Sequence, residues 1–156
     1  MHLTKNLCIN LLGFLQRLKQ QAALYPEKGD KGRHYLSPAC YTLSKEEKQS
    51  MFECLNSIKV PTGYSSNIKR LLNMKKKKFA HVKSHDCHVL MTQLLPVALR
   101  GILPANVRAT IIKLCAFLNA ISQKAIDPTS LIRLQEDIVQ SIVSLEMIFP
   151  PSFSIL

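Results

Sequence analysis

The sequence predicts an all-α fold of about five or six helices in an irregular bundle, with a basic, loop-rich N-terminal half. Three observations carry this. Apolar residues recur at helical spacing in the long segments, and no alternating run of useful strand length appears. Pro, Gly, Ser and Asp stand where helices would begin and end. The 156 residues, 47% of them apolar, suffice for one packed unit. A chain of this size buries roughly two-thirds of its unfolded surface. With no Trp and few other aromatics, that core is mainly aliphatic.

The elements follow in order. Residues 4–25 read as a helix with Leu7, Leu11, Phe14, Leu15, Leu18 and Ala22 on one stripe. Gly13 inside it costs about 1 kcal/mol relative to Ala. Residues 26–43, with two Pro and two Gly, read as an irregular basic connection. Ser44 and Glu47 have the spacing of a capping box, opening a helix that buries Phe52 and Leu55 and ends near Ile58. VPTGYSS forms a turn through Pro61 and Gly63, and a short helix from Asn67 to Asn73 leads to Lys75–Lys78. Ser84 or Asp86 caps a helix from about Cys87 to Gly101, which Pro96 should kink or split. Pro104 suits the first turn of the next helix. Its buried face is Val107, Ile111, Leu114, Cys115, Leu118 and Ile121, with Arg108, Lys113 and Lys124 off it. Asp127-Pro128 starts the last helix, with Leu131, Leu134, Ile138, Ile142, Leu145 and Phe149 as its stripe and Pro150-Pro151 as its stop.

Charge divides the chain. Residues 1–83 hold 16 Lys and Arg against 5 Asp and Glu, whereas residues 84–156 hold 5 of each. The whole net charge of +11 therefore lies in the first half, the part an anionic partner would meet. Two parts are expected, a basic segment 1–83 and a helical region 84–156, joined as one structural unit. Five widely spaced Cys without a CxxC argue for a reducing compartment rather than a disulfide framework. The apolar runs break well short of the ~20 residues that a membrane span needs, and no leader pattern opens the chain, so a soluble intracellular protein without a membrane partner is expected.

Two clusters could carry chemistry. Lys69, Arg70, Lys75, Lys76, Lys77, Lys78 and Lys83 place seven cations within fifteen residues. Nucleic-acid phosphates would attract them in a salt-dependent, sequence-blind way. Only Tyr64 and Phe79 lie nearby for base stacking, and a run of Lys is also what a plain solvated loop shows. The second cluster is His85, Cys87 and His88. His81, His85 and His88 would share a face if their helix began early, and imidazole with thiolate suits Zn²⁺. Only His34 and Cys40 lie upstream as further ligands, and the alternative is a helix start with Asp86 at its positive end. Cys87 and His88 do not form a nucleophile and base, because adjacent helical residues point about 100° apart. GxSxG, HExxH and a phosphate-cradling loop are absent.

Four stretches in order carry a resemblance: MHLTKNLCINLLGFL, then YPEKGDKGRHYLSPACYTLSKEEKQSMFECLNSIKVPTGYSSNIK, then KSHDCHVLMTQLLPVALRGILP, then FPPSF. Together they are similar to plant transposases of the CACTA (En/Spm) class, matching the end of the transposase core and the plant domain of unknown function that trails it. The resemblance covers essentially the whole chain. It implies a nuclear parent that cuts and pastes DNA with three acids holding divalent metal on an RNase H-like core. In that family an Asp precedes the motif that opens here at Met1-His2, and further motifs follow FPPSF. No catalytic acid carries over, and His2 is the one core-motif residue retained. Lys75–Lys78 departs from the mixed acids and lysines usual in the family, and residues 14–25 look shortened.

The expectation is thus a non-catalytic piece of such a transposase, cut short at both ends, the apolar SFSIL closing one of them. It would bind DNA through its basic half, or another transposase chain through apolar surface. A degenerate gene fragment without function, or a small zinc module, are the alternatives.

Overall fold

The structure, a computed structural model, describes residues 2–16, 27–28, 34–35, 39–59, 67–151 and 153. It is all-α in character, as the periodicity predicts. Helix α1 spans His2–Leu15 and buries Leu7, Cys8, Leu11, Leu12, Phe14 and Leu15. The stripe is as read, but Leu18 and Ala22, expected to continue it, lie outside the described residues. Within the connection expected to be irregular, β1 (Glu27–Lys28) and β2 (His34–Tyr35) form a two-residue antiparallel ladder.

Helix α2 spans Lys45–Ser57. Its capping box forms as the spacing requires: the Glu47 N–H donates to Ser44 Oγ at 3.1 Å, and the Ser44 N–H to Glu47 Oε2 at 2.9 Å. Met51, Phe52 and Leu55 are its buried positions. The turn predicted at VPTGYSS lies outside the described residues.

The short helix expected from Asn67 to Asn73 is instead one 3₁₀ turn, Ile68–Leu71, followed by a hairpin of β3 (Leu72–Asn73) and β4 (Lys78–Phe79). Two Asn side chains explain the difference. Asn67 Oδ1 accepts the Lys69 N–H at 3.1 Å, which tightens the start. Asn73 Oδ1 accepts the Lys76 N–H at 3.0 Å, which closes the loop back. Asn and Asp side chains offer the backbone such turns in competition with helix.

Helix α3 (Ser84–Val89) runs through a wide π turn, Leu90–Leu94, into α4 (Leu95–Ala98). Pro96 is the cause. It has no N–H, and its ring would strike the carbonyl of Thr92 in an unbroken α-helix. The turn before it widens, so that the Leu95 N–H reaches back to the Leu90 carbonyl. The kink predicted at Pro96 is therefore a local change of pitch. The run starts at Ser84, not Cys87, and neither Ser84 nor Asp86 is its cap residue. Asp86 reaches back from the first turn to accept the Lys83 N–H at 3.0 Å.

Beyond α4 the chain turns sharply through Gly101 (φ 73°) and Leu103 (φ 64°). A Leu in left-handed geometry is uncommon and needs holding. The Leu103 N–H donates to Glu47 Oε1 at 2.7 Å, and Arg108 Nη1 donates to the carbonyls of Ile102 and Leu103 at 3.2 and 3.3 Å. Pro104 precedes helix α5 (Ala105–Ile121) rather than sitting in its first turn. Asp127 caps α6 (Pro128–Ile148) through the Thr129 N–H and hydroxyl.

The core sits where α1 packs on α3, α5 on the π turn and α4, and α2 on α4. An aromatic group, Phe14, Tyr41, Phe149 and Phe153, closes one end with ring centroids 4.5–6.0 Å apart. Phe149 is buried there, as read. Five stripe residues are not: Ile121 is 42% exposed and Leu131 51%, and Leu134, Ile138 and Ile142 are half-buried. Among the described residues no helix is long and apolar enough to cross a membrane.

Candidate nucleic-acid interface

The predicted cations converge on one substructure. Lys69 and Arg70 lie on the 3₁₀ turn, Lys75–Lys77 in the hairpin loop, Lys78 on β4, and Lys83 just before α3. Lys77 adopts φ 50°, which lets a short loop close. Lys69, Lys75, Lys76, Lys78 and Lys83 are exposed, and Lys77 is half-buried. Among the described residues none of these six ammonium groups has a carboxylate within salt-bridge distance.

The hairpin is held from three sides. The Ala80 N–H donates to the Leu71 carbonyl at 2.8 Å, and Phe79 lies against buried Phe52 at 5.0 Å between ring centroids. Gln16, buried at the end of α1, donates from Nε2 to the Lys77 carbonyl at 3.4 Å. Phe79, considered for base stacking, is thus committed to the core. Tyr64 lies outside the described residues.

Arg70 plays a different part from the lysines. Its Nη2 meets Asp86 Oδ1 at 3.2 Å, and Asp86 is only 2% exposed. A buried carboxylate needs partners, and this one has the guanidinium together with the Lys83 N–H. The pair fastens the 3₁₀ turn to the start of α3, so Arg70 positions the site more than it presents charge. Sequence reading did not anticipate Gln16 or Asp86 as supports. A signal for Asp86 exists: it is the first acid after Glu53, at the end of a long stretch of cations alone.

The predicted metal cluster is not assembled. Because the helix starts at Ser84, His81 is not on it, and takes φ 48° in the preceding loop. His85 is exposed, His88 half-buried, and Cys87 faces the core with no exposed surface. Among the described residues no three His, Cys, Asp or Glu side chains group as a metal ion requires.

Cys87 meets other thiols instead. Cys8 of α1 and Cys87 share a hydrogen bond, and Cys115 of α5 lies in the same core. Donation to Cys87 and burial push the Cys8 thiol far up, while acceptance of that bond lowers Cys87, with Lys5 adding to the effect. Burial alone pushes Cys115 up to about 12. None of the three had been paired in the sequence reading, since helical phase alone does not say which helices meet.

No protein-family model, no curated protein and no solved structure matches this chain.

Proposed function

We propose that the chain is a non-catalytic, nucleic-acid-binding part of a CACTA-type DNA transposase, working in the nucleus. The motif resemblance suggests the origin. The observation that supports binding is the hairpin and its flanks: Lys69, Lys75, Lys76, Lys78 and Lys83 are exposed and, among the described residues, without a salt-bridge partner, on a substructure anchored to the core by Gln16, Phe79 and the Arg70–Asp86 pair. An anchored set of cations loses less freedom on meeting phosphates than the same charges on a free tail. Contact is to the phosphate backbone, which the ammonium groups meet without regard to sequence.

The test is anisotropy with duplex DNA across a salt series. Each phosphate contact contributes about 0.9 to the log–log salt slope, so Lys75, Lys76 and Lys78 changed together to Gln should weaken binding and lower the slope by about 2 to 3. A flat salt response in the parent protein, or an unchanged slope in the variant, would sink the reading.

A second reading, docking on another transposase chain, is favoured by α6. Ile132, Val139, Val143 and Met147 are 51–83% exposed along one face, beside a depression of about 430 Å³ lined by Ile132, Gln135, Glu136, Val139 and Gln140. Contiguous apolar surface of this kind marks interfaces. Sedimentation of the isolated protein over a wide concentration range separates the two readings.

A further inference from the structure

Among the described residues, the thiols of Cys8 and Cys87 are a buried pair that the nucleic-acid reading leaves unused. Both residues have no exposed surface, they sit on packed helices α1 and α3, and they are hydrogen-bonded to each other. The same two helices carry the supports of the basic hairpin: Gln16 follows α1, and Asp86 precedes Cys87 on α3. We infer that Cys8 and Cys87 form an internal disulfide when the protein meets a hydroperoxide, locking α1 onto α3 beneath the hairpin.

The chemistry balances with hydrogen peroxide as oxidant. The Cys87 thiolate attacks one peroxide oxygen; the O–O bond breaks, and Cys87 becomes a sulfenic acid as hydroxide leaves. That hydroxide takes the Cys8 proton and becomes water. The Cys8 thiolate then attacks the Cys87 sulfur, the S–O bond breaks, and the departing hydroxide takes up the proton that Cys87 lost at the start. Two thiols and one peroxide give one disulfide and two waters, each sulfur losing one electron. The depressed proton affinity of Cys87 and the protonated state of Cys8 assign attacker and resolver in that order. Burial means that the reaction waits on local opening of the α1–α3 contact, which would admit peroxide.

The experiment uses the full chain with Cys40→Ser and Cys54→Ser, which removes the exposed and half-exposed thiols. After peroxide treatment that fully oxidises free glutathione, intact mass should fall by two hydrogens. Digestion should yield one cross-linked peptide joining Cys8 to Cys87, with Cys115 still alkylatable after denaturation. The cross-link closes a long loop and should raise Tm by roughly 10 °C, reversed by reductant. Adding Cys8→Ala, with helicity checked by circular dichroism, should abolish the mass loss and leave a trappable sulfenic acid at Cys87. Full alkylation of both thiols at every dose, a bond to Cys115 instead, or mass loss surviving Cys8→Ala would each overturn the inference.

Discussion

Helices α5 and α6 pack against each other and read alike in sequence, yet they end in different surroundings. Over 17 residues α5 buries Val107, Thr110, Ile111, Leu114, Cys115 and Leu118, whereas over 21 residues α6 fully buries only Ser141 and Leu145. Helix α5 lies against the π turn and α4 on one side and α6 on the other. Helix α6 has α5 on one side, and its opposite face meets nothing described. An amphipathic stripe therefore says that a helix has something to bury. How much it buries depends on how many neighbours the topology places around it.

The largest expected break in this contrast comes from α5. Ile111→Ala should cost about 2–5 kcal/mol, because the residue is fully buried among helices that cannot collapse onto the gap. Chemical denaturation would read it as a lower midpoint at unchanged slope. Glu47→Ala should come next, at about 2 kcal/mol. It removes both the capping-box acceptor of α2 and the acceptor of the left-handed Leu103 N–H. Ser44→Ala removes the other half of the box, the acceptor of the Glu47 N–H, leaves the Leu103 tie in place, and should cost about 1 kcal/mol.

A pH series sharpens the contrast further. Cys115 holds its proton to about 12 when folded, against an ordinary value of 9.0. The folded state thus binds more protons than the unfolded state between those values, and stability falls as pH rises through them. At pH 10 the loss from this thiol approaches about 1.4 kcal/mol, and Cys115→Ala should flatten that part of the profile relative to the parent. The smallest effect belongs to α6. Ile132→Ser, at 69% exposure, should change stability by no more than about 0.5 kcal/mol while reducing any self-association.

The α2 capping box, the helix start at Asp127-Pro128 and the core faces of α1 and α5 were legible because each depends on residues within a turn or two of one another. The hairpin was not. Its Asn67 and Asn73 turns compete with a helix on nearly equal local terms, and the contacts that decide come from Gln16, Phe52 and Asp86, distant in sequence. The candidate site was legible as a set of cations, but not in the division between lysines that present charge and Arg70, which fastens the loop. The shared face of His81, His85 and His88 needed a helix already begun at His81. The helix begins at Ser84, which leaves His81 in the loop before it, and Cys87 lies in the core.

The wide turn at Leu90–Leu94 also acts as a slip of phase. A helix is a screw, and one residue too many in a single thread offsets everything beyond it by about 100°. Ahead of the slip, Asp86 and Cys87 address Arg70 and α1; behind it, Leu95, Ala98 and Leu99 address α2 and α5. Pro96 is therefore the reason one continuous rod can serve two sets of neighbours. Removing exposed Gln93 together with Pro96→Ala would restore the even thread and turn one set away from its partners.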